Sequence, residues 1–346
     1  MRKIVVLGAF GYEKKQLDGQ TIKTQNVYKL LCDKYEGTVK HFDTLLFRRK
    51  PWLIFPLFFQ LITCKTLLLI PARRNLTYIL PVAYFLSKLF RFDIVDICIG
   101  GWQVEYFKGI EPDKPHPMQL RYCKKIKAFL PEMETLNKNL REQLGFQNTE
   151  VFPNFRIFKQ REIAQNPHDE LRLVFMARVN RHKGYQTIFQ ALDRLKEMQV
   201  NVSMTFYGQI AEEDKDDFLS LIEQYKEVAV YKGALKPEVI HQTLSVYDVM
   251  LLPTQYYTEG FPGSILDAYI AGIPVIVTEW KYSHEFVNDG ISGFIVPFQD
   301  GLDDMVMRIK QLDEDRVLLL QMKRNALEEC KKYSEERAWE ILRKYL

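Results

Sequence analysis

The segment Thr258-Glu-Gly-Phe-Pro-Gly-Ser-Ile-Leu-Asp-Ala-Tyr-Ile-Ala-Gly-Ile-Pro-Val-Ile-Val277 passes from a turn through a helical pattern to a β-branched run. Pro262 and Gly263 are typical of a turn, and we expect Ser264 to cap the helix that follows. The last three residues predict a buried strand. A turn, a helix and a strand in this order indicate one repeat of a parallel α/β sheet.

The same alternation of strand and helix runs through the whole chain. In the first half the predicted strands cover residues 4–7, 66–70, 94–99, 127–130 and 150–152, and a helix covers 21–33. In the second half they cover residues 173–176, 202–207, 228–231, 249–252, 275–277 and 294–296. Short strands separated by helical patterns predict an α/β fold with two parallel sheets, each covered by helices.

The length and a polar stretch near the middle indicate two domains. A chain of 346 residues with 47% hydrophobic residues can build two cores. Pro153-Asn154 ends a predicted strand, and residues 156–170 are polar and aperiodic. We therefore predict a first domain over 1–155, a linker over 156–170 and a second domain from 171.

The charge is distributed unequally between the halves. Residues 1–165 contain 27 Lys and Arg against 15 Asp and Glu, whereas residues 166–346 contain 21 against 29. The basic half is suited to an anionic membrane, a phosphate-bearing acceptor or a nucleic acid. Since no motif that reads RNA or DNA is present, nucleic acid is the least favoured of these partners.

The cysteines, the histidines and the first residues indicate a cytoplasmic protein without a metal site. Five scattered cysteines include no CxxC pair, and the six histidines include no i, i+4 pair. The apolar run that follows Met1-Arg-Lys is too short for a signal peptide. We expect reduced thiols, a cytoplasmic location and no bound metal.

Residues 51–64 form an unusually apolar segment that follows Arg48-Arg49-Lys50. Pro51, Pro56 and the nearby Lys65 disfavour a membrane-spanning helix. Two alternatives are a buried helix followed by a core strand and a helix lying on the membrane surface. The sequence leaves these alternatives open.

A second informative stretch is Leu173-Val-Phe-Met-Ala-Arg-Val-Asn-Arg-His-Lys-Gly184. Its strand ends near Met176, and we expect a helix to begin near Gly184. Arg178 and Lys183 then lie in a loop at the carboxyl edge of a parallel sheet, where ligands bind. Two cations beside a helix N-terminus suit a diphosphate. The alternative is a charged loop that only faces water.

The segment 258–277 also has the features of a ligand site. Free amides at the start of its helix point toward a phosphate, and Gly263 has no side chain to obstruct the approach. Glu259 precedes the helix, and Asp267 lies about one turn inside it. These two carboxylates are placed to accept hydrogen bonds from a polyhydroxylated ligand.

Together these two stretches resemble the donor site of glycosyltransferase family 4, which comprises retaining, metal-independent enzymes of the GT-B fold. Further similar stretches are Val151-Phe-Pro-Asn-Phe155, Val230-Tyr-Lys-Gly-Ala-Leu235, Asn288-Asp-Gly-Ile-Ser-Gly-Phe-Ile-Val-Pro297 and the tail 332–345. The resemblance implies two Rossmann-like domains facing a cleft, with the donor domain over 171–332. It also implies that a last helix over 333–346 packs back onto the first domain.

The resemblance assigns roles to individual residues. Arg178 and Lys183 neutralise the diphosphate, Glu259 holds sugar hydroxyls, and Asp267 holds the ribose. Arg178, Lys183 and Glu259 are thus the candidate catalytic residues. The candidate donor-binding residues are Gly11, Gly19, Gln20, Gly233, Phe261, Pro262, Gly263, Ser264, Ile265 and Asp267.

The chain departs from the family pattern at several positions. Asp267 and Ala177 replace the usual glutamate and glycine, so the reach of Asp267 to a ribose is shorter. Residues 98–103, Cys-Ile-Gly-Gly-Trp-Gln, contain no histidine where many relatives have one, and His116 is the nearest in sequence. Asp214-Lys-Asp216 has the Asp-x-Asp form that binds metal in other glycosyltransferases. Here it belongs to an acidic run that we interpret as a solvated helix start.

The resemblance implies transfer of a sugar from a UDP- or GDP-linked donor to a glycan or lipid-linked acceptor in cell-surface polysaccharide synthesis. No metal or other cofactor is implied. The basic, aromatic-rich first half suggests peripheral contact with the inner face of the cell membrane. The main alternative is a non-catalytic sugar-nucleotide-binding subunit. An epimerase or phosphorylase on the same fold is less favoured, as is a nicotinamide oxidoreductase, since Gly8–Gly11 lacks the third glycine of that fingerprint.

Overall fold

The computed structural model describes residues 3–13, 18–110, 117–159, 163 and 169–346, without the side chains of 73–75 and 117. The chain divides into two compact units. Unit 1 comprises Met1–Ile157 and Ser334–Leu346, and unit 2 comprises Phe158–Tyr333.

Unit 1 contains, within its described residues, a five-stranded parallel sheet. The strand order is β2-β1-β3-β4-β5. The strands are β1 (Lys3–Gly8), β2 (Thr38–Asp43), β3 (Thr66–Ile70), β4 (Asp93–Ile97) and β5 (Ala128–Leu130). Every residue of β3 is buried. Its continuous apolar run is typical of a parallel strand that is covered on both faces.

The helices of unit 1 include one from the end of the chain. They are α1 (Gly19–Lys34), α2 (Ile54–Ile62), α3 (Arg73–Phe90), α4 (Gln103–Phe107), α5 (Pro117–Cys123), α6 (Glu134–Leu144) and α13 (Glu335–Leu342). Leu342 of α13 joins the same core cluster as Ile4 and Val27. The Tyr345 hydroxyl donates to the Glu150 carboxylate at 2.6 Å. The last residues of the chain are therefore part of the first unit.

Unit 2 contains a six-stranded parallel sheet in the part of the chain that the structure describes, with the order β11-β10-β9-β6-β7-β8. The strands are β6 (Leu171–Met176), β7 (Val202–Tyr207), β8 (Ala229–Tyr231), β9 (Val249–Leu252), β10 (Val275–Thr278) and β11 (Gly293–Val296). The helices are α7 (Tyr185–Glu197), α8 (Lys215–Gln224), α9 (Ile240–Leu244), α10 (Gly263–Ile270), α11 (Leu302–Glu314) and α12 (Arg316–Cys330).

In unit 1, one strand prediction is wrong and one strand was not predicted. Residues 150–152 form no strand, and the adjacent Thr149 makes only an isolated bridge to Phe129. The segment still contacts the end of β5, since the Phe152 amide donates to the Pro131 carbonyl at 2.7 Å, but the bonds are too few to form a strand. Strand β2 was not predicted, because its sequence Thr-Val-Lys-His-Phe-Asp is mostly polar. It lies at the edge of the sheet, where one side of the strand has no neighbour and polar residues are tolerated.

The apolar segment 51–64 forms a 3₁₀ turn over Pro51–Leu53 and then helix α2, and the alternative of a buried helix is wrong for most of its side chains. Leu57 and Leu61 are buried, whereas Phe55 and Phe59 are largely exposed. The reason is geometric, since a single helix on a sheet can bury only one of its faces. Among the described residues, no helix combines the length and the apolar character needed to cross a membrane.

The buried carboxyl of Asp96 in β4 predicts that the stability of unit 1 depends on pH. Its side chain is buried, and among the described residues its Oδ2 atom has no hydrogen-bond partner. Burial raises the pKa of Asp96 to about 8, although a bond from the Cys98 thiol opposes the shift. The folded state therefore keeps this proton at pH values where the unfolded chain has lost it. Stability must fall as the pH rises from the unfolded pKa toward 8.

An Asp96→Asn variant should remove this pH dependence. We expect the wild type to lose on the order of 3 kcal/mol more unfolding free energy than the variant between mildly acidic and mildly alkaline solution. Urea unfolding at the two pH values measures the difference. Asp93→Asn is the matched control, because Asp93 lies on the same strand but is solvent-accessible and paired with Lys127. Equal pH dependence in the wild type and the Asp96 variant would contradict the assignment.

Candidate active site

The loop after β6 carries the first predicted cation. Arg178 is exposed and forms no ion pair with any residue that the structure describes. The next residue anchors the loop, since Val179 donates its amide to the Gln209 carbonyl and its carbonyl accepts from Ala211, both at 2.9 Å. On the other side of Arg178, Ala177 donates its amide to the Tyr207 carbonyl at 3.2 Å, so the backbone is held on both sides of a side chain that is available to a ligand.

A short 3₁₀ turn over Arg181–Lys183 carries the second cation and leads into α7. The side-chain oxygen of Asn180 accepts the amide of Lys183 at 2.9 Å and so caps the turn. Helix α7 begins at Tyr185, which confirms the predicted start near Gly184. The turn between β6 and α7 was not predicted from the sequence. Asn180 could have indicated it, because asparagine often caps the first turn of a helix.

Gly184 permits a close approach between this loop and the end of β9. Its φ angle is +83°, in the left-handed region, and a Cβ at this position would lie 2.0 Å from the carbonyl oxygen of Pro253. Any side chain would therefore collide with backbone. This approach positions Lys183 beside the segment that follows β9.

Asp214 is a structural support for the loop, which corrects the prediction that it belongs to a solvated helix start. Its carboxylate is buried and accepts the amide of Arg181 at 3.0 Å and the guanidinium Nε at 2.7 Å. Burial acts to raise the pKa of Asp214, but the bonds and charge of Arg181 outweigh it, so the pKa lies below its ordinary value. The helix start was predicted correctly, since α8 follows at once. Asp214 is buried because the loop with Arg181, 33 residues away in sequence, packs on it. The polar residues next to Asp214 in sequence do not predict this contact.

The structure brings Lys183 and Glu259 together across 76 residues of sequence. Their side chains form an ion pair and are only 16% and 18% exposed. The Thr254 hydroxyl also donates to the Glu259 carboxylate at 3.3 Å. A ligand that needs both the cation and the carboxylate therefore finds them adjacent and already oriented.

Tyr256 lies against this pair and was not predicted. The Lys183 ammonium is 5.5 Å from the centre of its ring, and the His182 ring lies at 5.1 Å. Burial and the negative charge of Glu259 raise the pKa of Tyr256. It therefore remains a neutral phenol at physiological pH, and its ring covers one side of the lysine.

Helix α10 forms where a helix was predicted but begins earlier, at Gly263, so the prediction that Ser264 caps it is wrong. The cap residue is Pro262, which makes no side-chain capping bond, and Ser264 already lies inside the helix. The Ile265 amide donates to the Pro262 carbonyl at 3.1 Å. The amides of Gly263 and Ser264 are consequently the ones that precede the first intrahelical bonds of α10 and face outward. These two groups are better placed than Ile265 to meet a phosphate.

Asp267 has a protein partner. It is buried, and its Oδ1 atom lies 3.1 Å from Nε2 of His241 on α9. His241 was not singled out from the sequence, because 26 residues separate the two positions. The pair places an imidazole beside the carboxylate predicted to hold a ribose.

Two other predicted donor-binding residues have structural contacts of their own. Phe261 is buried and stacks on Phe286 with ring centres 4.0 Å apart. Gly233 has a φ of +76°, and its carbonyl accepts the Gly208 amide at 3.0 Å. Phe261 thus shapes the turn before α10 from within the core.

In unit 1, Asp43 organises the predicted glycine loop. Its carboxylate accepts the amides of Phe10 at 3.1 Å and Gly11 at 3.0 Å. Asp43 is the last residue of β2, and it pairs with Gly8, the last residue of β1. This position at the carboxyl ends of the strands is the only feature of the sequence that could have indicated its role. The predicted Gly19 and Gln20 open helix α1, which Asp18 caps. The Gly11 amide is therefore engaged within the protein.

A buried ion pair holds the Gly-Gly-Trp segment. Lys23 and Glu132 lie 2.7 Å apart, and both are almost fully buried. Glu132 also accepts the Gly100 amide at 3.0 Å, while Lys23 donates to the Cys98 carbonyl at 3.2 Å. His116, the nearest histidine in sequence, lies outside the described residues.

The predicted fold class is confirmed, since the chain forms two parallel-sheet α/β units and resembles solved structures of the GT-B class over its whole length. The chain belongs to the family glycosyl transferases group 1, whose model matches residues 156–329. The resemblance to glycosyltransferase family 4 is thereby confirmed. Within the described residues, no group of three or more His, Cys, Asp or Glu side chains is arranged to hold a metal ion.

Curated relatives match about half of this chain. WcaL of Escherichia coli strain K12, provisionally named a colanic acid biosynthesis glycosyltransferase, is 31% identical over 159 residues, which are 44% of this chain and 39% of WcaL. The N,N'-diacetylbacillosaminyl-diphospho-undecaprenol alpha-1,3-N-acetylgalactosaminyltransferase of Campylobacter jejuni is 24% identical over 163 residues, which are 47% of this chain and 41% of that enzyme. The match thus spans about two fifths of the length of these relatives.

Solved structures resemble the whole chain. Anabaena HepE in complex with UDP-glucose has a TM-score of 0.73 at 16% identity, with 99% of both chains covered. Sucrose-phosphate synthase from Thermosynechococcus elongatus has a TM-score of 0.75 at 15% identity, covering 100% of this chain and 98% of the synthase. At these identities the likeness establishes the fold alone.

Proposed function

We propose that this chain transfers a sugar from a nucleoside diphosphate donor to an acceptor hydroxyl, with retention of configuration. The observation that carries the proposal is the ion pair of Lys183 and Glu259, together with the start of α10 four residues after Glu259. A cation, a carboxylate and outward-facing helix amides are what a diphosphate linked to a sugar requires. Unit 2 binds the donor in this proposal, and unit 1 binds the acceptor.

Catalysis in this proposal rests on charge stabilisation. The bond between the sugar and the diphosphate breaks, a bond to the acceptor oxygen forms, and the acceptor proton passes to a departing phosphate oxygen. Arg178, Lys183 and the Gly263 and Ser264 amides stabilise the charge that develops on the leaving group. Glu259 orients the sugar through its hydroxyls, and the Asp267–His241 pair meets the ribose. These cationic groups make a metal ion or other cofactor unnecessary.

The acceptor in this proposal is a growing bacterial glycan, free or lipid-linked. Support comes from the names of two relatives, which refer to colanic acid biosynthesis and to a diphospho-undecaprenol-linked sugar. The UDP-glucose complex of Anabaena HepE supports a UDP-linked donor. The non-catalytic alternative is less well supported, since these relatives are named as glycosyltransferases.

The donor can be identified by thermal unfolding. A ligand that binds only the folded state raises the melting temperature. We expect one UDP- or GDP-linked sugar to raise it by several degrees, equally with and without EDTA. NAD is the negative control, and Arg178→Ala tests whether the shift arises at the proposed site. Stabilisation by NAD alone, or the same shift in the Arg178 variant, would count against the proposal.

A further inference from the structure

Two neighbouring helices of unit 1 expose large apolar side chains. Helix α2 and the turn before it expose aromatic residues, and α3 exposes a stripe of apolar ones. We call this set the apolar face. Its members, which are 59 to 75% exposed, are Trp52, Phe55, Phe59, Tyr78, Val82, Phe85 and Leu89.

The apolar face is a continuous surface. On α3 the four exposed positions are spaced by four, three and four residues, which places them along one side of a helix. The two helices touch, since the rings of Phe58 and Phe90 have centres 5.5 Å apart. The opposite sides pack inward, with Leu61 of α2 and Leu80 of α3 buried. A patch this large on a folded domain indicates an interaction site.

The segment of chain that forms the apolar face carries only positive charge, and the acidic Glu13 from outside this segment pairs with its Lys50. Between Asp43 and Asp93 the chain contains eight basic residues and no acidic one. Arg48 and Arg49 precede α2 and are exposed, and Lys88 and Arg91 are exposed at the end of α3.

We propose that the apolar face lies on the surface of an anionic phospholipid bilayer. Its aromatic and aliphatic side chains enter the boundary of the acyl chains, and the flanking cations meet the lipid phosphates. Trp52 and Tyr78 belong to the residue types that favour this boundary. The charge argues against a second copy of the chain as the occupant, because two such faces would bring like charges together.

This proposal is independent of the proposed transfer reaction, because no residue of the apolar face belongs to the candidate active site. It gives unit 1 a defined orientation at a membrane, with α2 and α3 in contact with the lipid. A lipid-linked acceptor would then be presented at the same surface. Transfer to a water-soluble acceptor should not depend on it.

Flotation with lipid vesicles tests the proposal. The full chain is mixed with phosphatidylcholine vesicles that either contain or lack phosphatidylglycerol, at low and at high salt. We expect binding to the anionic vesicles that weakens with salt. A Phe55→Ser, Phe59→Ser, Phe85→Ser variant should bind at least about tenfold more weakly, and an Arg48→Glu, Arg49→Glu variant should lose a similar factor.

Matched controls lie on unit 2. Met307→Ser with Val317→Ser removes two other exposed apolar side chains, and Lys196→Glu with Arg324→Glu reverses two other exposed cations. Both controls should float like the wild type, and all variants should keep its melting temperature. The proposal is overturned if the wild type does not float, or if the triple serine variant floats equally well. A wild-type dimer that the triple variant makes monomeric, without vesicle binding, would overturn it in favour of self-association.

Discussion

An Arg178→Ala variant should transfer sugar about 100- to 1,000-fold more slowly than the wild type, with an unchanged melting temperature. The loss in rate is expected because, in the proposed mechanism, the guanidinium stabilises charge on the departing diphosphate. The unchanged stability is expected because Arg178 is exposed and pairs with no acidic residue that the structure describes. Steady-state kinetics with the identified donor and thermal unfolding without ligand measure the two quantities.

Two further variants sharpen this test. Arg324→Ala removes an exposed arginine from α12, far in sequence from the loop, and should change neither quantity. Lys183→Ala should lower both, because it removes the proposed phosphate contact and leaves the largely buried Glu259 without its cation. An Arg178→Ala enzyme with undiminished turnover would refute the proposed role of that residue.

A Gly184→Ala variant should lose both stability and activity. Alanine at a φ of +83° costs about 1–2 kcal/mol by itself. Its Cβ would also lie 2.0 Å from the Pro253 carbonyl oxygen, so the loop or the end of β9 must shift. We expect a total loss of more than about 3 kcal/mol of unfolding free energy. Because Lys183 precedes this residue directly, the displacement should lower the transfer rate at least about 100-fold.

Gly290→Ala separates the two contributions. Gly290 has a similar φ of +72°, but a Cβ at this position would have no heavy atom within 4 Å beyond its chain neighbours. This variant should therefore show only the conformational cost of about 1–2 kcal/mol and should retain activity. Urea unfolding of both variants gives the comparison. Equal losses for the two glycines would show that the approach to Pro253 is not tight.

The ion pair between Lys183 and Glu259 has a consequence for donor binding. Without a ligand, the charge of Lys183 is already offset by Glu259, whereas Arg178 has no such partner among the described residues. Under the proposed function, a diphosphate therefore competes with Glu259 for the lysine, and sugar hydroxyls compete with the lysine for Glu259. In this proposal the diphosphate of a sugar nucleotide replaces Glu259 at Lys183, and its sugar hydroxyls replace Lys183 at Glu259. An isolated phosphate offers only the first of these contacts.

The sequence by itself determined the architecture and the chemical character of the site. Strand and helix periodicities are local, so the two parallel sheets and the helices that begin at Tyr185 and Gly263 followed from neighbouring residues. The cations in the loop after β6 and the acidic residues around α10 were visible for the same reason. Strand β2 was not predicted because a strand at the edge of a sheet can carry polar residues, so its sequence lacks the apolar run that indicates a buried strand.

Only the tertiary structure decided which of these groups have partners. Lys183 meets Glu259, Asp214 supports Arg181, and His241 meets Asp267, each across 26 or more residues. It also decided that the outer sides of α2 and α3 stay uncovered. Such pairings depend on the order of strands in a sheet and on which helix faces pack inward. These are properties of the assembled chain, because residues distant in sequence become neighbours only when the sheet has formed.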